Sequence, residues 1–170
     1  MPDNQQNDSK LSFSLLFEQW SPLGFALVGG FLLFVFSGGI SGEFASGRWK
    51  SQGLYGAIFG WAAIQTGFAF AVYGFVVGKS DGFIAALRGT RAMRLFIGYI
   101  KRAIYSGFIL TFATIPLIVT EPGLISGDSW GYRAVAVWFT IFLWSFLAFL
   151  RLAFNFGKIV SVPDKHFNGA

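Results

Sequence analysis

Four stretches of this chain contain no Asp, Glu, Lys or Arg: Leu23 to Gly42, Ser51 to Gly78, Ala103 to Thr120, and Ala134 to Leu150. A helix needs about 17–25 mostly apolar residues to cross the hydrocarbon core of a bilayer. The stretches also lack the period-two alternation of polar and apolar residues that a membrane β-barrel requires. The expectation is an all-α integral membrane protein with four transmembrane helices. Charged residues make up 12% of the chain, against about 25% in an ordinary soluble domain. One membrane domain over residues 1–170 is therefore expected, with no soluble domain built from the loops. The predicted spans cover about residues 22–42, 53–78, 103–120 and 133–156.

Orientation follows from the basic residues, which favour the cytoplasmic side. With an even number of spans, the first tail, the middle loop and the last tail share one side. That side holds Lys10, then Lys79, Arg88, Arg91, Arg94, Lys101 and Arg102, then Arg151, Lys158 and Lys165. The opposite side holds only Arg48, Lys50 and Arg133. The imbalance predicts an N-in/C-in topology and a multi-pass protein of a bacterial inner membrane. The formal charge of +5 is accounted for by this placement and is not read as affinity for nucleic acid.

The flanks carry weaker signals. Leu11, Leu15, Leu16, Phe17 and Trp20 predict an interfacial amphipathic helix over about residues 9–20. Ser21-Pro22 then reads as a restart, a capping residue followed by Pro at the first helical position. The apolar run beginning at Leu23 is too long, and its N-terminal flank too acidic, for a secretory signal peptide. Trp49, Trp130 and Tyr132 in the short outer loops suit the membrane–water boundary. Asp128 or Ser129 is placed to cap the fourth span. A cytoplasmic tail is expected over 157–170.

The second span contains a register. Gly53, Gly60, Gly67 and Gly74 recur every seven residues, and four positions after each stand Ala57, Ile64, Ala71 and Gly78. A seven-residue repeat drifts only about 20° per heptad, so the stripe stays on one face of the helix. Small residues let helix backbones approach closely, and in lipid close packing replaces hydrophobic exclusion as the force between helices. The other face carries Phe59, Trp61, Phe68, Phe70 and Phe75. The first span offers Gly38 and Gly42, with Gly29, Gly30 and Gly39 nearby. A pairing of spans one and two inside the chain is the first expectation for the stripe, and a contact between copies the second. Gln65 and Thr66 fall at the middle of the same span, where an amide seeks a hydrogen-bond partner: either glue between helices or the lining of a path.

The middle loop is basic. From Thr90 it reads as one helix continuous with the third span, separated by Gly89 from a short amphipathic piece after Asp81. On that helix Arg91, Arg94, Gly98, Lys101, Arg102 and Tyr105 share a face, and Arg88 precedes it. Long basic side chains at this position anchor to anionic lipid headgroups. The competing reading is a docking face for an anionic cytoplasmic partner, protein or nucleotide-bearing. Arg88, Arg91 and Arg94 recur at every third residue, as in a voltage sensor, but no span contains an acidic partner for them.

Groups for chemistry are scarce. The chain has no cysteine and one histidine, His166, and no acidic residue falls inside a predicted span. No pair of residues suits a haem, a metal or a general base beside a nucleophile. No cofactor is expected. The sequence points to a non-catalytic membrane subunit that anchors or regulates a partner, with self-association as the alternative use of its surfaces. The competing expectation is an oligomeric channel or membrane-disrupting effector, with Gln65, Thr66, Thr111 and Thr114 along the path.

Overall fold

The structure, a computed structural model, describes residues 20–124 and 126–162. Over that range the chain is helical and contains no strand. The helices follow in the order α1 (Trp20–Val35), α2 (Ser37–Ala45), α3 (Ser51–Gly78), α4 (Gly82–Leu87), α5 (Arg91–Thr120) and α6 (Trp130–Val160). Helices α3, α5 and α6 are each long and apolar enough to cross a membrane. Helices α1 and α2 add a fourth crossing only if the two count as one bent span. The predicted interfacial helix over 9–20 lies outside the described residues apart from Trp20.

The expected unbroken helix over 22–42 is corrected. The chain turns by 66° between α1 and α2, with Phe36 at the break. Ser37-Gly38-Gly39 follows directly, and glycine in a helix interior costs about 1 kcal/mol relative to alanine. Two contacts support the bend. The Tyr132 hydroxyl donates to the Leu33 carbonyl at 2.8 Å, satisfying a backbone group at the interruption. Gly127 of the α5–α6 loop packs against Ser37, and a Cβ on it would lie 2.9 Å from the Ser37 Cβ. Ser21-Pro22 does not start α1, because Trp20 is already helical. At the other end of the chain α6 runs to Val160, so residues 157–160 belong to the helix rather than to a tail.

Local signals explain the remaining boundaries. Thr90 caps α5, its side chain accepting from the Met93 N–H at 3.2 Å. Gly89 stands between α4 and α5 with φ +83°, a left-handed conformation that glycine adopts without strain. Ser129 caps α6 by accepting from the Tyr132 N–H at 3.1 Å. Glu121 ends α5 in the left-handed region, immediately before Pro122.

Helix α5 is the central helix and packs along both α3 and α6. The reason lies in its spacing. Met93, Phe96, Ile100, Ala103, Gly107, Leu110 and Thr114 are buried and follow one another by alternating steps of three and four. Tyr55, Ile58, Ala62, Gln65, Ala69, Val72 and Val76 of α3 are buried in the same rhythm. This three–four alternation is the seam of a knobs-into-holes pair. Gly107 lets the pair close, because a Cβ there would collide with the Thr66 hydroxyl. Rings hold α3 to α6: Trp61 meets Phe146 and Phe149, Phe68 meets Phe149 and Phe156, and Phe75 meets Phe156, with centroids 5.3–6.1 Å apart. Helix α1 lies on α6, where Gly30 admits Thr140 and Gly29 admits Leu143.

Candidate functional site

The core is divided. One apolar cluster joins Val72 and Val76 of α3 to Ile84, Met93, Phe96 and Leu152. The other joins Tyr55 and Ile58 to Leu110, Tyr132, Val135 and Trp138. Between them lies a layer of buried polar side chains. The Gln65 amide nitrogen donates to the Ser145 hydroxyl, and Ser145 donates to the Ser106 hydroxyl at 3.1 Å. Ser106 in turn donates to the Ala103 carbonyl. One chain of hydrogen bonds therefore links α3, α6 and α5. Trp138 donates to Thr114 at 2.8 Å on the loop side of this layer.

These groups face one another. Gln65, Ser106, Thr114 and Ser145 are each 0% exposed. Thr66, Thr111 and Thr114 turn their hydroxyls back onto the carbonyls of Ala62, Gly107 and Leu110 in their own helices. The bonds between helices are those of Gln65, Ser145 and Ser106 and of Trp138 to Thr114, and Gln65 retains an acceptor oxygen with no partner among the described residues. Thr66, Thr111 and Thr114 were visible as polar positions in the sequence; Ser145 was missed. Its signal was its register, seven residues after Trp138 and seven before Leu152 on the buried line of α6.

The glycine stripe lies elsewhere. Gly53, Gly60, Gly67, Gly74 and Gly78 have no atom within 4 Å of the place a Cβ would occupy. The same holds for Gly38 and Gly42, so the expected intrachain pairing of the first and second spans through these glycines is not made. The cause is the register of α3. Its buried seam takes the three–four positions from Tyr55 to Val76, and the glycines fall two residues before Tyr55, Ala62, Ala69 and Val76, on the outermost line of the helix. Ala57, Ile64 and Ala71 lie beside them and are exposed, Ile64 by 68%.

The basic residues gather at the end where α3 and α6 finish and α5 begins. They do not form one uniform face. Arg88 folds back on the end of α3, donating to the carbonyls of Val77 and Lys79, where a cation complements the negative end of the helix dipole. Arg94 donates to the Gly89 carbonyl at 2.7 Å. Arg91 and Lys101 are exposed on α5. Arg102 and Arg151 line a small cleft with Tyr99, Trp20 and Trp144. Arg151 donates to the Tyr99 hydroxyl at 3.0 Å, and its guanidinium lies over the same ring, 4.2 Å from the centroid. The cleft joins α1, α5 and α6, and sequence spacing could not place Tyr99 beside a residue so distant in the chain.

Among the described residues no three His, Cys, Asp or Glu side chains group as metal ligands. No family model, curated protein or solved structure matches the chain. The class defined by the fold is a helical protein with three, and up to four, helices capable of crossing a membrane.

Proposed function

We propose that this chain is a non-catalytic, multi-pass membrane subunit that anchors or regulates a partner through its basic end. It has four spans, the first of them bent, with both termini in the cytoplasm of a bacterial cell. The carrying observation is the charge asymmetry of the helix ends. Lys79, Arg88, Arg91, Arg94, Lys101, Arg102, Arg151 and Lys158 stand with Asp81 at one end. Arg48, Lys50 and Arg133 stand with Glu43, Glu121 and Asp128 at the other. Anionic headgroups occupy the rim of the basic end, and Arg91 and Lys101 carry the contact with an acidic partner. The outward face of α3, smooth and uncharged across the membrane, serves association with another helix or another copy.

The test is the composition of the particle extracted from native membranes in mild detergent. The proposal expects a partner of fixed stoichiometry, lost when Arg91 and Lys101 are both replaced by Glu while the helical spectrum is retained. A particle containing this chain alone, with both replacements silent in its cellular activity, overturns the proposal. The channel reading draws on one feature, the uncovered α3 face, which suits a ring of protomers. Conductance across bilayers reconstituted with the pure protein would establish that reading instead.

A further inference from the structure

The bend between α1 and α2 opens a cavity. It measures about 590 Å³, within the 300–1,000 Å³ typical of small-molecule sites. Leu33 and Ile40 from the two sides of the bend face Leu54 of α3 and Val135, Ala136 and Phe139 of α6 across it. The lining is apolar except for the Tyr132 hydroxyl, already bonded to the Leu33 carbonyl, and one edge where the α2–α3 connection contributes Arg48, Trp49 and Lys50. Arg48 is paired with Glu43 at 2.6 Å, so Arg48, Lys50 and Glu43 together leave one net positive charge at the mouth.

We propose that this cavity binds a single-chain anionic amphiphile, a long-chain carboxylate. Three properties select that occupant. The lining offers hydrocarbon and no buried acid, so a chain enters without stranding a charge. The mouth carries one net positive charge, which matches a monoanion. Trp49 stands beside the cations, and an indole suits the boundary between headgroup and chain. The bend provides the space, since an unbroken helix would carry α2 along the axis of α1 rather than away from it. The inference is independent of the partner assigned to the basic end and shares with that reading only the membrane setting.

Displacement of a fluorescent polyunsaturated fatty acid from the full-length protein in neutral detergent tests the site. Oleate should displace the probe at least about tenfold more strongly than oleyl alcohol, the same chain without the charge. Ala136→Trp fills the cavity and should weaken oleate about tenfold or more, with the melting temperature of the protein read in parallel. Lys50→Gln lies on the exposed connection, away from the packed core, and keeps the test decisive should Ala136→Trp fail to fold. It should weaken oleate and leave oleyl alcohol unchanged. Equal displacement by oleate and oleyl alcohol overturns the proposal, because the gap then holds ordinary lipid. So does retention of full oleate affinity by Lys50→Gln, or by a folded Ala136→Trp.

Discussion

The Gln65 side-chain amide donates to the Ser145 hydroxyl, tying α3 to α6 at the level where the two apolar clusters part. Ser145 passes the link on to Ser106 of α5, so one hydroxyl serves three helices. Ser145→Ala should therefore destabilise the folded state by about 1 kcal/mol, since interhelical hydrogen bonds average about 0.6 and reach about 1.7 kcal/mol. Unfolding by denaturing detergent, followed by circular dichroism, measures it. An unchanged midpoint would show that the layer carries no net energy.

Replacing Gln65 distinguishes polarity from packing. It occupies a seam position, so Leu fits its volume, and the substitution removes an acceptor oxygen that has no partner among the described residues. Gln65→Leu should stay within about 1 kcal/mol of the parent, because it also deletes the unpartnered oxygen and leaves Ser145 still donating to Ser106. Gln65→Lys should cost about 2.5–3.5 kcal/mol, the range for a charge at mid-span. If Gln65→Lys were tolerated and Gln65→Leu were not, the amide would face water rather than protein.

The glycines of α3 and α5 divide by what surrounds them. Gly107 faces Thr66 directly, so Gly107→Leu should cost about 1–3 kcal/mol through overpacking. Gly60 and Gly67 face open space, so Gly60→Leu with Gly67→Leu should leave the monomer's unfolding midpoint no lower than the parent's, since removing glycine favours the helix. The same pair should abolish any association between copies, read by crosslinking in membranes and by light scattering of the purified particle. Loss of monomer folding in the Gly60 and Gly67 pair would instead place the stripe inside the fold.

The positions of α3, α5 and α6 were legible because length and lack of charge suffice to predict a span. The basic helix running into the third span was legible for a similar reason: Gly89 and Thr90 supply a break and a cap at adjacent positions. The glycine register was legible as a pattern but pointed to the wrong neighbour. Inside a span nearly every residue is apolar, so hydrophobicity does not mark the buried face. The buried face follows the three–four line from Tyr55 through Ala62, Gln65 and Ala69 to Val76, where small and large residues mix and size gives no mark. The bend after α1 was not legible, because its stabilising partners, Tyr132 and Gly127, lie about a hundred residues on. The cleft of Tyr99 and Arg151 depends likewise on how α5 meets α6.

Topology is testable without removing any native thiol, because the chain has no cysteine. Ser46→Cys in the α2–α3 connection should react with a membrane-impermeant maleimide added to intact spheroplasts. Ser80→Cys and Ser161→Cys, both exposed at the basic end, should react only after the membrane is opened. The reverse pattern would place the basic end outside and remove the basis for a cytoplasmic partner. Reaction at all three positions in intact spheroplasts would exclude the single crossing by α3 between Ser46 and Ser80.

Of the two contacts at the bend, one is a single hydroxyl. Tyr132 is 4% exposed, and its ring belongs to the core cluster that includes Val135 and Trp138. Tyr132→Phe keeps that packing and removes only the bond to the Leu33 carbonyl. The expected cost is about 1 kcal/mol, the typical net value of one intramolecular hydrogen bond. The geometric effect should be larger than the energetic one. Without the Tyr132 hydroxyl, the Leu33 carbonyl can regain a helical partner by straightening α1 into α2, closing the cavity beneath them. Spin labels at Leu27 and Ala45, each on an exposed position, report the change: straightening lengthens the distance between them and narrows its distribution. An unchanged distance in Tyr132→Phe would mean that Gly127 against Ser37 holds the bend unaided, and Gly127→Leu would then be the substitution that moves it.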